Sequence, residues 1–490
     1  MKLRVKILKI FAGKPVVFIH EATAKKINLY VADRVTLSKN NRKITAVVDI
    51  AFGFISKNEV AISEDLALVL GTDATGMIDV KPANIPEGSR IIHDKLECNE
   101  YKFKELEKII RDIVNNNLTE AEIAYFISGI NHCGMSFEET LALTNAIVKT
   151  GQRIKWSEKI IVDKHSIGGI PGNRTTPIVV SICAATGLII PKTSSRAITS
   201  ASGTADTIES MAPVNLTISQ LKSVVKKTGA CLVWGGSLGL APADDKLIHV
   251  EKLLRLDPEP QLLASILAKK VAVGSTHVLI DIPFGEGAKV SLQQGQHLKK
   301  MFESLGKKMG LKIKTILTDG IQPIGNGIGP VLEMHDVIRV LKQDNPPKDL
   351  ESKSLVLAGK ILEMCGKAKK GQGQLKARDI LYSGEAYEKF CQIIKAQGGD
   401  PKTWLSEAKF HHTFIASHSG TIKKIDNPSI NFLARIAGCP NDKSSGIYIY
   451  KHVNEKLKPG DKIMTIYSES KEKLNQSIKF FKKQKPITIF

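Results

Sequence analysis

The stretch "KHSIGGIPGNRTT", from Lys164 to Thr176, decides how this sequence folds. It follows the strand-like run "KIIVD" and precedes the apolar run "PIVVSICAATGLII". Glycines let the backbone reach positive φ without a Cβ clash, so successive amides can point into one concavity. A helix starting in the apolar run would add the positive end of its dipole. The pattern predicts a site for a multivalent oxyanion, although a solvated glycine-rich turn beside a buried helix would carry the same residues.

Strand-like and helical segments alternate after this loop begins. The strand-like runs "IIVD", "LIIPK", "CLVW", "HVLIDIPF" and "KTILTD" are separated by helical segments such as "QLLASILAKKVAVG". This alternation predicts a largely parallel sheet in an α/β fold. The sequence contains neither a GxGxxG nor a P-loop pattern, which argues against a dinucleotide-binding fold and a Walker-type ATPase.

A second polar loop, "SSRAITSASGTADTIE" from Ser194 to Glu209, follows the strand-like "LIIPKT". It gathers hydroxyls and an arginine before a Gly-Thr pair, and an Asp and a Glu follow at helical spacing. Ligand loops of open α/β sheets lie at the carboxyl ends of the strands. We therefore expect this loop and the first one to face a single crevice.

Composition and charge restrict the class of protein. The 490 residues predict two to four domains. The net charge of +21 is spread along the chain with few aromatics, which suits small anionic substrates as well as nucleic acid. No signal peptide or membrane-spanning run is recognisable, so we expect a cytoplasmic protein that binds no membrane. Seven scattered cysteines without a CxxC predict reduced thiols, not disulfides or zinc ligands.

Read together, the two loops resemble the thymidine and pyrimidine-nucleoside phosphorylase family. The family pattern is Ser-Gly/Ser-Arg-Gly/Ala followed by Gly-Thr-x-Asp-x-x-Glu. The matching residues here are Ser194, Ser195, Arg196, Ala197, Gly203, Thr204, Asp206 and Glu209. A Lys-His-Ser-x-Gly-Gly element at 164–169 and the segments "APAD", "ASILAKK", "QPIGNGIG", "SGEAYEKFCQIIKAQGGDP" and "GTIKKID" continue the likeness, which spans residues 85–470.

The resemblance implies a domain arrangement. A helical domain (85–160, with 243–273 returning to it) and a large α/β domain (161–410) would enclose a cleft that closes on substrate. Short runs of β-branched residues add a small β-rich, barrel-like domain at 1–84. Strand-like runs near the C-terminus predict an α+β module at 411–490. The family also implies a homodimer or a larger homo-oligomer.

The implied reaction is phosphorolysis of an N-glycosidic bond, with inorganic phosphate as co-substrate and with no cofactor or metal. The family match places phosphate on Lys164, Ser166, Gly168, Gly169, Thr176, Ser194 and Thr204. His165 would act as a catalytic residue against the nucleoside. Ser265 and Lys269 lie one helical turn apart and would present to the base. Each group could otherwise be an ordinary turn hydroxyl, helix cap, structural histidine or solvated lysine.

The extra N-terminal domain resembles a longer branch of the family, which includes archaeal AMP phosphorylases. Thymidine-specific relatives carry an Arg-Asp pair where an ungapped alignment puts Val250 and Glu251, although a gap would bring Arg255 there. Substrate positions that match the longer branch are Gly169, Ser195, Arg196, Ala197, Ile198, Thr199, Ser200, Thr204, Asp257, Ser265 and Lys289.

Asp257, in "RLDPEP", is then the expected acid for the leaving base, and it should be buried because a donating carboxyl must hold its proton. It could equally cap a helix that begins at Pro258. The sequence leaves two substrate classes possible: a pyrimidine nucleoside such as thymidine, or a nucleoside 5′-monophosphate such as AMP. The alternatives are an anthranilate-type phosphoribosyltransferase of the same fold, which "KHSIGG" disfavours, and a non-enzymatic nucleic-acid-binding protein.

Overall fold

The computed structural model describes residues 1–10, 12, 14–197, 200–403 and 405–490. The chain divides into two compact units. The first comprises Met1–Gly151 and Ala241–Ser265, and the second comprises Gln152–Leu240 and Ile266–Phe490. None of the helices in these described ranges has the length and apolar character needed to cross a membrane.

The first unit begins with a small closed barrel. Its elements are β1 (Lys2–Leu8), β2 (Val16–His20), α1 (Glu21–Lys26), β3 (Arg34–Lys39), β4 (Arg42–Ala51), β5 (Glu59–Ser63), α2 (Glu64–Leu70) and β6 (Met77–Pro82). The strands close in the order β1-β5-β2-β4-β3-β6. Side chains alternate across each strand, so Val17, Val48 and Ile62 point into the barrel core.

Helices dominate the chain from residue 87 to residue 272. They are α3 (Glu87–Leu96), α4 (Phe103–Val114), α5 (Glu120–Cys133), α6 (Phe137–Thr150), α7 (Thr175–Ala185), α8 (Thr204–Ile208), α9 (Ile218–Thr228), α10 (Pro242–Leu254) and α11 (Glu259–Ala272). Thr119 and Glu122 form a reciprocal capping box at the start of α5. Gly151 ends α6 with an extended backbone, φ −103°, and not with the left-handed conformation common after helices.

A disulfide joins two of the helices in the first unit. Cys98, just after α3, is bonded to Cys133, the last residue of α5. The expectation that all seven cysteines are reduced is therefore wrong, while the other five cysteines are free thiols. The left-handed backbone at Cys98 (φ 59°) helps to bring the two Cα atoms to 5.3 Å. The two cysteines are 35 positions apart, and no sequence pattern indicates that they lie close together.

A parallel sheet forms the centre of the second unit, as predicted. Its strands are β7 (Val162–Ser166), β8 (Ile190–Ser194), β9 (Ala230–Trp234), β10 (His277–Phe284) and β11 (Lys312–Asp319). The strands β11, β10 and β7 pair in parallel, as do β8 and β9, and a parallel bridge between Ile161 and Ile189 connects the two groups. The carboxyl ends of these strands consequently point the same way.

Helices cover this sheet. In addition to α7 to α9, they are α12 (Leu292–Lys308), α13 (Pro330–Lys342), α14 (Lys348–Met364), α15 (Gly373–Tyr382) and α16 (Glu385–Ala396). The helix α7 is apolar on all sides and is buried over almost its whole length, as a core helix should be. Its Val179 and Ile182 share one hydrophobic core with Leu357 and Phe390. The start of α7 is thereby fixed directly after the glycine-rich loop.

The C-terminal module is built mainly from antiparallel strands. Its elements are β12 (Gly327–Ile328), β13 (Phe410–Ile415), β14 (Gly420–Ile425), α17 (Asn427–Ala437), β15 (Gly446–Ile449), β16 (Lys456–Leu457), β17 (Lys462–Ser468), α18 (Lys471–Gln484) and β18 (Ile487–Ile489). One sheet has the order β12-β15-β17-β13 and another β16-β14-β18. His411 and His412 lie within β13, with His411 exposed and His412 half-buried.

Candidate active site

The glycine-rich loop begins inside a strand and ends inside a helix. Lys164 lies in β7 and is buried, and its Nζ donates to Thr175 Oγ1 at 2.8 Å at the start of α7. Gly168 and Gly169 have φ values of 83° and 94°, a conformation that side chains other than glycine rarely adopt. A Cβ on Gly169 would lie 2.8 Å from Lys289 Cγ, so the stem of Lys289 covers this turn.

Ion pairs and hydrogen bonds around Arg196 and Asp206 hold the conformation of the second loop. Arg196 contacts both carboxylate oxygens of Glu209 at 2.8 and 2.7 Å and Asp206 at 3.1 Å. The other oxygen of Asp206 accepts from Ala197 N at 2.7 Å and Gly203 N at 2.9 Å. The acidic residues of the motif are therefore the partners of its arginine. The charge of Arg196 holds the loop in shape, a use that the substrate-binding prediction for this residue did not include.

Gly203 is required where this loop doubles back. A Cβ at this position would stand 2.5 Å from Arg196 C and 2.6 Å from Ser195 O. Contacts this short do not occur, so any larger residue would force the loop open. The helix α8 begins immediately afterwards at Thr204, which places the Thr204 hydroxyl beside the closed loop.

Arg174 ties the two loops together. Its guanidinium donates to Thr204 Oγ1 at 2.7 Å and to Ser202 O at 2.9 Å, both in the second loop. On its other side it pairs with Glu333 Oε2 at 2.7 Å, and both charged side chains are buried. Burial raises the pKa of Glu333, which the adjacent guanidinium opposes. Arg174 stands inside the quoted motif, but only the fold shows its partner 159 residues away.

A second bridge between the loops comes from the C-terminal module. Asn431 of α17 accepts from Ala201 N at 3.1 Å and donates to Gly169 O at 3.2 Å. No motif in the sequence marked Asn431. The expected convergence of the two strand-end loops is thus present in the structure, and two residues that the sequence did not single out hold it.

Two serine hydroxyls at the strand ends have no hydrogen-bond partner among the described residues. Ser166 and Ser194 close β7 and β8, and they lie equally far beyond the Ile161–Ile189 bridge in the parallel register. Each Oγ is buried, and neither makes a hydrogen bond to any atom in the part of the chain that the structure describes. A buried hydroxyl without a partner costs about 1–3 kcal/mol. Binding an oxyanion between them would recover that cost.

Lysines are concentrated beneath the loops. Four are buried in the second unit, in β7, β8, α11 and α14: Lys164, Lys192, Lys270 and Lys353. Among the described residues, two buried aspartates pair with three of these lysines. Asp163 pairs with Lys192 at 3.2 Å and with Lys270 at 2.7 Å, and Asp281 pairs with Lys353 at 3.2 Å. The excess of ammonium groups favours a bound anion, because a buried charge needs a partner.

Burial and the neighbouring charges shift the pKa values of groups in this cluster. Burial lowers the pKa of Lys164 to about 8 and that of Lys270 to about 7. Burial, with the charges of nearby lysines led by Lys270, holds the pKa of His165 well below its ordinary value. The imidazole is therefore neutral at neutral pH. A nearby phosphate would oppose these shifts by favouring the charged lysines.

The structure also places three further predicted residues of the second unit: Thr176, Lys269 and Ser200. Thr176 is buried in the first turn of α7, and Lys269 on α11 is one of the charges that lower the pKa of His165. Ser200 donates its hydroxyl to Ser202 O at 2.7 Å. Ile198 and Thr199 fall outside the described residues.

Two predicted residues belong to the first unit. Ser265 is half-buried on α11, on the same helical face as Lys269. Asp257 is exposed, so the expectation of a buried carboxyl is wrong. The helix α11 begins at Glu259, and Pro258 O accepts its first hydrogen bond, so Pro258 occupies the cap position. Asp257, the predicted cap, lies one residue before it.

Comparison with known families finds three matches in chain order. Residues 89–151 match the glycosyl transferase family helical bundle domain, and residues 158–387 match its a/b domain. Residues 421–488 match the pyrimidine nucleoside phosphorylase C-terminal domain. All the strand-end loops described above fall within the second match.

Full-length relatives are also found. An AMP phosphorylase from Pyrococcus furiosus is 43% identical over 493 aligned positions, which cover 100% of this chain and 98% of the relative. A Legionella pneumophila protein named "Putative thymidine phosphorylase" is 41% identical over 94% of this chain and 89% of its own length. An anthranilate phosphoribosyltransferase structure from Thermus thermophilus has a TM-score of 0.53 at 16% identity, covering 63% of this chain and 99% of that one, so it shares the fold.

Proposed function

The chain belongs to the thymidine and pyrimidine-nucleoside phosphorylase family, in its long branch, and from this premise we propose that its substrate is a nucleoside 5′-monophosphate. It is a pentosyltransferase that cleaves an N-glycosidic bond with inorganic phosphate. With AMP the products would be adenine and ribose 1,5-bisphosphate. The observation that supports a phosphate site in these loops is the pair of buried hydroxyls of Ser166 and Ser194, which have no partner within the described part of the chain and lie close to the buried lysines.

The residues of the two loops would hold and orient the nucleophile. Lys164 supplies a positive charge, and Ser166, Ser194 and Thr204 supply hydroxyls, while the Gly168–Gly169 turn supplies backbone amides. Phosphate held this way forms its bond to the anomeric carbon as the bond to the base nitrogen breaks. Holding the two reactants in place supplies much of the rate enhancement for such a reaction. Thr176 would support this cradle from the first turn of α7.

The leaving base needs a proton or hydrogen bonds to carry its charge. Asp257 would donate this proton, and Ser265 and Lys269 would contact the base. His165, which is neutral, would hydrogen-bond to the nucleoside and would not act as a cation. These roles rest on the family resemblance, and the chemistry itself uses no cofactor besides the co-substrate phosphate.

Two observations favour the nucleotide over thymidine. Relatives named AMP phosphorylase align over the whole chain, including the N-terminal barrel. Val250, which an ungapped alignment puts where thymidine-specific relatives carry an arginine, is buried in α10 and offers no polar atom to a pyrimidine carbonyl. Lys289 beside Gly169 would add a charge for the 5′-phosphate. The Legionella relative keeps thymidine as the second candidate.

A substrate panel tests the proposal. The protein is incubated with phosphate and AMP, CMP, UMP, thymidine or uridine, with and without Mg²⁺, and free base is quantified. Base release from a monophosphate without Mg²⁺ is the expected result. Release only from thymidine or uridine would overturn the substrate assignment but leave phosphorolysis intact. No release from any compound would overturn phosphorolysis itself, and a strict need for Mg²⁺ would favour a phosphoribosyltransferase.

A further inference from the structure

One face of helix α17 carries polar residues at a regular spacing. Asn427, Asn431 and Arg435 are each four positions apart and share a face of the helix. The opposite, apolar face packs into the core of the C-terminal module through Ile430, Leu433, Ala434 and Ala437. The helix is thus fixed in the module by one face, and the polar face is directed to other parts of the second unit.

Together the three polar residues on this face contact three strand-end loops. Asn427 donates to Gly320 O at 2.8 Å, just after β11. Asn431 bridges Gly169 O and Ala201 N, in the loops after β7 and β8. Arg435 donates to Ser200 O at 3.1 Å, again in the loop after β8. All three loops leave carboxyl ends of strands in the parallel sheet, where ligands of α/β folds bind.

We propose that Asn431 is a positioning residue that sets the spacing of the two phosphate-binding loops, an inference that rests on the proposed function. The residue is buried, and its amide accepts from one loop and donates to the other. Asparagine is suited to this because its side chain carries a donor and an acceptor together, whereas a carboxylate only accepts. Without the bridge, the Gly168–Gly169 turn loses its direct link to the loop of Ser194 and Thr204.

Kinetics of the variants Asn431→Ala and Asn431→Asp test this role. Asn431→Asp keeps the shape but turns a carboxylate toward Gly169 O, so it should be at least as damaging as alanine. We expect the KM for phosphate to rise roughly tenfold or more in both. The alanine variant loses the bonds to Ala201 N and Gly169 O, the aspartate variant loses the bond to Gly169 O and sets a carboxylate against it, and a small misplacement is costly. The matched control is Asn475→Ala on α18, an exposed residue of the same module that should keep the wild-type KM.

The KM readout separates positioning from folding, because KM does not depend on the fraction of enzyme that is folded. A KM for phosphate within twofold of wild type in both variants, whatever happens to turnover or melting temperature, would overturn the proposal. If the wild-type protein released no base, the proposed function would fail first. Calorimetric titration of phosphate into wild type and Asn431→Asp would then still decide the positioning role, with equal affinities counting against it.

Discussion

Replacing Arg174 by alanine should lower the free energy of unfolding and weaken phosphate binding, and the two effects can be measured separately. The substitution removes hydrogen bonds to Glu333, Thr204 and Ser202, at 2.7, 2.7 and 2.9 Å. It leaves the buried Glu333 carboxyl without its cation, and breaking a buried pair by removing one partner typically costs about 3–5 kcal/mol. Urea denaturation should show this loss of unfolding free energy, and the KM for phosphate should rise because Thr204 loses its anchor.

The double variant Arg174→Met, Glu333→Leu is the matched control. Replacing both members of a buried ion pair by apolar residues of similar volume is often neutral for stability. We therefore expect the double variant to recover most of the lost unfolding free energy while its KM for phosphate stays high. Wild-type stability of Arg174→Ala, or a wild-type KM in the double variant, would refute the role of Arg174 as the link between the loops.

Three further predictions address the charge cluster, the disulfide and the acid. Burial lowers the pKa of Lys164 to about 8, and phosphate binds the charged form of this lysine, so phosphate affinity should be full below pH 8 and fall above it. Calorimetry across pH 6.5–9.5 (about one unit or more on either side) checks this. The variant Lys164→Met should abolish the fall in affinity. Reducing the Cys98–Cys133 bond, or the change Cys133→Ser, should lower the free energy of unfolding by about 3–4 kcal/mol, the chain-entropy value for a loop of this length. A urea denaturation curve that does not change would contradict this prediction. Asp257→Asn should lower turnover by about 10²–10⁴-fold with unchanged melting temperature, because the residue is exposed; near-normal turnover would remove Asp257 from the chemistry.

Local patterns sufficed for the secondary structure and for the two loops. The strands expected just before "KHSIGG" and "SSRAIT" are β7 and β8, which extend to Ser166 and Ser194, and the Thr119–Glu122 capping box begins α5. These features are determined by neighbouring residues, through hydrophobic periodicity and helix-capping chemistry. Parallel pairing then followed from the alternation of strands and helices.

Features that depend on distant partners were not predictable in this way. Arg174 meets Glu333, and Asn431 meets Gly169 and Ala201, across more than a hundred residues each. The partners share no periodic pattern, so only the folded chain identifies them. The Cys98–Cys133 bond was missed for the same reason. The domain boundaries, the oligomeric state and the cytoplasmic location stay predictions.

A titration of inorganic phosphate tests the central claim, that both strand-end loops hold one orthophosphate. Calorimetry is run on the wild-type protein, on Ser166→Ala, on Thr204→Val and on the double variant. The account predicts one phosphate per chain, weaker binding in each single variant, and a combined loss in the double variant that differs from the sum of the two, because the residues share a ligand. Wild-type affinity in both single variants would contradict it.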